Sequence, residues 1–312
     1  QASPDAGQSL IARDKDTYVS GTDMLITVTL KDKNGTILTG DAGLLTTTTV
    51  TVPNATLRTG SSWTDNGDGT YTATYTATTV STENLATLKL SGWDAAAQSE
   101  KYAITPEVEA PTSINTQVNA YTFTQTSEEG TFPTTGFTGA TFTIVLKGSK
   151  SATDYTWKSD ANWVSVTDGV VTFTGKGTGD KVTITGTPTS GQGTITKYSF
   201  TLKSWFINSG TAVMNWSDAN TYCSSQSGYS LPTVEQLSNG TESGYQTRAA
   251  NAGLWSEWGN MSGYSSAGLS GNYYWSSEWQ SSGTHYVVRL SSGYVVGTGD
   301  SDKLNVVCRQ GL

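Results

Sequence analysis

Histidine and cysteine are almost missing from this 312-residue chain, which has one His and two Cys. Hydrolysis by a Ser-His-Asp set would have to use His285, and no nucleophile elbow lies near it. No Cys, His and carboxylate cluster has metal-ligand spacing, and no glycine-rich phosphate loop occurs. These scarcities argue against catalysis and leave no cofactor to expect. No stretch approaches 18 consecutive apolar residues, so no segment reads as a membrane-crossing helix. Charge is also sparse: 14% of residues are charged, with 18 Lys and Arg against 26 Asp and Glu, a formal net charge of −8. The cations are spread thinly, whereas counterion release from phosphates needs them clustered. Nucleic acid, heparin and anionic lipid are therefore poor partners. The opening Gln1-Ala2-Ser3-Pro4 lacks the charged and apolar regions of a signal peptide, as expected of a mature protein or an excised fragment.

What is present is β chemistry. Thr, Ser and Gly abound and aromatics make up 10% of the chain. β-Branched and aromatic side chains suit a pleated, half-buried surface. The length suits two or three domains of roughly 100 residues each, which we place at 1–105, 106–203 and 204–312. In the first, Met24, Ile26, Val28 and Leu30 alternate with Leu25, Thr27 and Thr29, the period of a sandwich strand. Tyr71, Ala73, Tyr75 and Ala77 repeat the pattern, and Thr87-Leu88-Lys89-Leu90-Ser91 reads as a closing strand. The turn Asp65-Asn66-Gly67-Asp68-Gly69-Thr70 offers Asp65 and Asp68 to calcium. An EF-hand-like loop, however, needs oxygen ligands where Gly67 and Gly69 fall, so a hairpin turn is the favoured reading.

The prolines of Ile104-Thr105-Pro106-Glu107-Val108-Glu109-Ala110-Pro111-Thr112 mark a stiffened joint. A second alternating series follows, with Phe142, Ile144 and Leu146, then Val182 and Ile184, then Tyr198, Phe200 and Leu202 on one face each. Trp157 and Trp163 read as core or edge packing. The junction Leu202-Lys203-Ser204-Trp205-Phe206-Ile207-Asn208 has no Pro or Gly hinge and carries two bulky aromatics. Such residues are costly at a joint unless buried, so the second and third domains should pack as one block.

From residue 204 the pattern changes. Asn215 to Cys223 reads as a helix with Trp216, Ala219 and Cys223 on one side. Thr233 and Gln236 form a capping box, and Gly240 is placed to stop the second helix. A Gly-, Ser- and aromatic-rich stretch over 239–272 precedes strand signals at 273–278 and 285–290. The chain then closes on Leu304-Asn305-Val306-Val307-Cys308-Arg309. Cys223 and Cys308 pair as a disulfide in an exported protein, or stay as buried thiols in a cytosolic one.

The segment Asp65–Thr74 resembles the bacterial immunoglobulin-like repeats of the intimin and invasin family. The last domain resembles that family's C-type-lectin-like tips through Trp216-Ser217-Asp218-Ala219, Leu231-Pro232-Thr233, Trp255-Ser256-Glu257-Trp258-Gly259, Tyr274-Trp275-Ser276-Ser277-Glu278 and Val307-Cys308-Arg309. The resemblance implies a mainly β chain, two tandem Ig-like β-sandwiches followed by an α+β C-type-lectin-like domain. It also implies a bacterial surface adhesin whose tip binds a host-cell receptor, a protein rather than a glycan. The sandwiches serve as the stalk, and the protein is anchored in the outer membrane by an N-terminal β-barrel outside these residues. The calcium triplets of sugar-binding lectins, Glu-Pro-Asn, Gln-Pro-Asp and Trp-Asn-Asp, do not occur, and Glu242, Glu257 and Glu278 stand unpaired in the sequence. A calcium-independent glycan-binding module and a bacterium-to-bacterium contact protein remain as alternatives.

Protein interfaces favour Trp, Tyr and Arg ringed by small polar residues, and residues 244–294 are composed that way. Arg248, Trp258, Tyr264, Trp279 and His285 are the receptor-binding candidates, each with a packing role as the alternative. His285 is also open to a strand or a pH-switch reading. Trp216, Trp255 and Trp275 read as core.

Overall fold

A computed structural model of the chain describes residues 2–125 and 132–312. The chain folds as two compact units, residues 1–108 with 190–195 and residues 109–189 with 196–312.

In the first unit, strands Leu10–Arg13, Asp23–Thr29, Thr70–Ala77 and Ala55–Leu57 lie side by side in that order. The alternation decides the register. Met24 lies opposite Tyr75, Ile26 opposite Ala73, and Val28 opposite Tyr71, a large residue meeting a small one at the middle step. All six are buried, and Met24, Ile26 and Val28 are fully so. Each such aliphatic side chain removed from water contributes about 1.5–3 kcal/mol. The threonines between them stay half-exposed on the outer face. The predicted strand over 87–91 is only Thr87–Leu88. The unit closes instead on Tyr102–Thr105, which runs parallel to Thr17–Val19. At the candidate calcium turn, Asp65 accepts the N–H groups of Gly40 and Gly67, and Asp68 accepts the N–H and hydroxyl of Thr70. Both carboxylates serve turn geometry.

The second unit begins with two sheets. One runs Tyr121–Thr124, Ile114–Val118, Thr141–Leu146, Val170–Phe173 and Val164–Thr167; the other runs Tyr155–Ser159, Val182–Pro188 and Thr196–Phe200. Nine further elements position the candidate site. They are β1 (Thr135–Gly136), β2 (Ser204–Asn208), α1 (Trp216–Ser224), α2 (Val234–Leu237), α3 (Leu254–Trp258), β3 (Tyr273–Ser281), β4 (Thr284–Arg289), β5 (Tyr294–Gly299) and β6 (Val307–Gly311).

Strand β2 pairs parallel with β1 and antiparallel with β6, so the sandwich runs straight into the α+β region through one small sheet. Trp205 and Phe206 are 1% and 2% exposed, which answers the junction's demand for burial. The Trp205 ring fills a slot between Gly136 and Gly177, where a Cβ on either would come within 2.8 Å of it. One continuous core joins Phe142, Phe173 and Phe200 of the sandwich to Trp258, Tyr264, Tyr274 and Val288 beyond the junction. A smaller core lies under α1, where Ala219 and Cys223 meet Trp275, Val287 and Val306. Asn215 caps α1, and the Thr233–Gln236 capping box starts α2, which ends at Leu237, short of Gly240. Cys223 and Cys308 form a disulfide across 85 positions, tying α1 to β6.

Candidate functional site

Three of the five sequence candidates form the seam inside the second unit. Trp258 is fully buried and donates from Nε1 to the Thr135 hydroxyl at 2.9 Å. Its ring lies 5.2 Å from Phe132 and 5.4 Å from Phe137. Tyr264 is 8% exposed and donates to the Thr141 carbonyl; burial pushes its hydroxyl up to about 12. Arg248 donates to four carbonyls, those of Ser256, Asn119, Val118 and Glu257, at 3.0–3.1 Å. Its guanidinium also lies 5.0 Å from the Tyr121 ring centre. Trp258 and Tyr264 are buried and Arg248 is half-buried with its guanidinium bonded to carbonyls, so the three hold the seam together.

Beside them sits a group the sequence did not single out as structural. Glu257 is fully buried, with no cation among its partners in the described residues. Its carboxylate accepts from the N–H and hydroxyl of Thr134, the N–H and hydroxyl of Thr135, and the N–H of Asn251. Burial pushes its carboxyl up to about 7, against the opposite pull of those hydrogen bonds. Glu278 is engaged too, accepting the N–H of Val234 at the start of α2. Glu242 is exposed.

His285 is likewise interior. It is 7% exposed, its ring is stacked 3.8 Å from Trp216, and Nδ1 lies 2.7 Å from an Asp300 carboxylate oxygen. Its burial sets it apart from an open receptor contact; Trp216 stacks on a face of the ring and Asp300 holds its Nδ1 edge. Trp279 differs. It lies opposite His285 where the β3–β4 register shifts, and it is 65% exposed. Such bulges re-aim a side chain, and here the indole points to solvent.

Another exposed aromatic, Tyr245, lies beside the opposite end of the same sheet. Residues directly opposite one another across an antiparallel sheet share a face. On the face covered by α1, three such rows run across β3, β4 and β5. The middle row, Trp275, Val287 and Val296, lies over the disulfide core. One outer row is Trp279, His285 and Thr298; the other is Tyr273, Arg289 and Tyr294. The opposite face carries Tyr274, Val288 and Val295 into the large shared core.

In the Tyr273–Arg289–Tyr294 row Arg289 is exposed, while Tyr273 and Tyr294 are half-buried, Tyr273 resting against the disulfide core. The Arg289 guanidinium lies 5.9 Å from the Tyr273 ring centre. Tyr245, 82% exposed, crosses from the preceding loop to rest 4.7 Å from the Tyr294 ring, where Gly244 and Val295 bridge the backbones. Four side chains thus line up as Tyr, Tyr, Arg, Tyr. The sequence placed Tyr245, Tyr273 and Tyr294 in the aromatic stretch but missed Arg289. The alternation of β4 could have found it, because Arg289 shares parity with Val287.

The family model for invasin domain 3 matches residues 5–107, and that for invasin domain 4 matches residues 112–200. The inverse autotransporter adhesin YeeJ of Escherichia coli strain K12 is 40% identical over 168 residues, which is 52% of this chain and 7% of that protein. Among solved structures, invasin, a bacterial integrin-binding protein, matches 99% of this chain and 60% of its own at 25% identity, with a TM-score of 0.58. A C-terminal 282-residue fragment of intimin, solved with the intimin-binding domain of the translocated intimin receptor, shares the fold. It matches over 96% of this chain and 98% of its own, at 17% identity and a TM-score of 0.50. The chain therefore spans a small part of the curated relative and about three-fifths of the invasin chain.

Proposed function

Since the chain belongs to the invasin and intimin family of bacterial adhesins, we propose that it binds a protein receptor on a host cell through the Tyr245–Tyr294–Arg289–Tyr273 row. In this reading the two sandwiches carry the C-terminal region, and an outer-membrane barrel elsewhere in the protein holds the whole at the bacterial surface. Invasin binds an integrin and intimin binds its translocated receptor. Neither receptor transfers to this chain, because no contact residue of theirs is placed on it.

One observation carries the reading. Tyrosine and arginine, residues enriched where binding energy concentrates at protein interfaces, stand in one line in which Tyr245 and Arg289 are exposed and Tyr273 and Tyr294 half-buried, the last three fixed on three paired strands. Sites built on strands hold their geometry better than sites on loops. The test is binding of the fluorescent full chain to epithelial cells. The double variant Tyr245→Ala with Tyr294→Ala should lower binding at least about tenfold, the effect of losing one substantial contact. Unchanged binding would sink the proposal.

Trp279 supports a second reading, calcium-independent glycan binding. Its exposed ring neighbours the hydroxyls of Ser281 and Thr284 at the hairpin end, the pairing of flat face and polar rim that suits a sugar. A glycan array run with the full chain and with Trp279→Ala decides it. Signals lost in the variant support this reading, and a blank array removes it.

A further inference from the structure

We propose that the exposed row receives a carboxylate side chain of its protein partner, an Asp or Glu flanked by apolar residues in an extended segment. This rests on the reading that the row is the docking surface.

The five arginines of the chain supply the argument. Arg13 donates to the Lys101 carbonyl, and Arg58 pairs with Asp23. Arg248 holds four carbonyls, and Arg309 donates to the Ser204 hydroxyl and the Lys203 carbonyl. Arg289 alone has neither a hydrogen bond nor an ion pair among the described residues, although the chain holds 26 carboxylate residues. A guanidinium presents a planar fork of five N–H donors that matches a carboxylate in two parallel bonds. In Arg289 that fork is exposed, and the Tyr273 ring lies beside it. Tyr294 stands in the same cross-strand row on the far side. The Tyr273 ring lies 5.9 Å from the guanidinium, and Tyr294 sits opposite Arg289 on the next strand, about 4.8 Å away in backbone spacing, so the cation stands between two tyrosine positions. Rings so placed limit the water around a bound ion pair, which strengthens it.

The rings also set the partner's pattern. Along an extended peptide, alternate side chains face one way at roughly 7 Å intervals. An apolar–acid–apolar triplet read at alternate positions lays its carboxylate on Arg289 and its flanking groups on the tyrosines, with Tyr245 lengthening the apolar end. With a formal net charge of −8, the chain as a whole offers an acidic segment little general attraction, so recognition would rest on a local cation such as Arg289. The polar groove near Thr134 lacks this character, because its cations Lys203 and Arg309 already donate within the protein.

The experiment uses the full chain and immobilised ten-residue peptides carrying Glu between alternate Phe and Leu residues, with Gln counterparts. Glu peptides should bind about tenfold better than Gln peptides, the ratio one charge-assisted hydrogen bond supports. Arg289→Gln should erase that preference, Arg289→Lys should keep part of it, and Tyr294→Ala should weaken both peptide sets alike. Thermal midpoints confirm that each variant folds. Failure of the Glu peptides to bind, or equal binding of both sets, overturns the proposal. If cell binding still falls in the Tyr245 and Tyr294 variants, the docking reading survives without the carboxylate. Sialyllactose competing as well as free Glu peptide reassigns the carboxylate to a glycan and overturns the protein source. Self-association lost in Arg289→Gln does the same in favour of a second copy.

Discussion

Two arginines of the C-terminal region each lie over a tyrosine ring, Arg248 at 5.0 Å from Tyr121 and Arg289 at 5.9 Å from Tyr273. Composition does not distinguish their surroundings, since both stand among Tyr, Gly and Ser. What differs is what lies across from them. Arg248 faces the backbone of the preceding sandwich, and all its bonds point into carbonyls. Arg289 faces solvent. The same residue types therefore make a permanent interface in one place and a vacant one in the other. The vacant one is the candidate for recognition, because it still has bonding capacity to offer.

The largest effect should come from removing the disulfide that encloses both regions. Cys223→Ser with Cys308→Ser releases a loop spanning 85 positions. In the chain-entropy model this costs about 4–5 kcal/mol, read as a lowered denaturant midpoint for the second unit. Next, Arg248→Ala leaves four carbonyls without their donor. It should cost on the order of 3–4 kcal/mol by chemical denaturation, given that each bond to a charged group is substantial and the set is not additive. A loss below about 1 kcal/mol would mean that Arg248 is not a seam residue in solution.

Glu257 sharpens the same contrast through pH. Its folded value of about 7 lies above the ordinary carboxylate value of 4.5, so the folded state holds the proton more tightly than the unfolded state does. The associated stability is complete below pH 4.5 and is lost as pH rises toward 7, by about 3 kcal/mol. Melting the wild type and Glu257→Gln across that window checks it: the wild type should lose stability with rising pH and the variant should stay flat. The smallest effect belongs to the exposed row. Arg289→Ala should change stability by less than about 0.5 kcal/mol, in contrast to Arg248→Ala.

Much of this architecture is legible in the sequence wherever a period exists. Met24 to Leu30 and Tyr71 to Ala77 bury the faces their alternation marks. The helix from Trp216 and the capping box at Thr233 form where their residues point, and Cys223 pairs with Cys308. The strand Tyr294–Gly299 was not legible, because Gly297 and Gly299 read as turn punctuation. Nor was α3, a five-residue helix between two glycines. The fates of Trp258, Tyr264 and Arg248 were hidden for a different reason. Their neighbours Thr135, Thr141 and Asn119 lie more than a hundred residues earlier, and a Gly- and Ser-rich stretch carries no periodicity to signal what will cover it. Burial there is a property of the seam.

The cystine between α1 and β6 makes residues 223–308 a closed covalent ring, and the whole exposed row lies on that ring. Tension applied at Arg289 reaches the rest of the chain by two backbone routes at once, one leaving through α1 and the other crossing the sulfurs from β6. With the cystine closed, the 19-residue arm from Arg289 to Cys308 limits extension between Arg289 and Cys223 to roughly 6.5 nm at about 3.4 Å per residue, against roughly 22 nm for the 66 residues of the other arm.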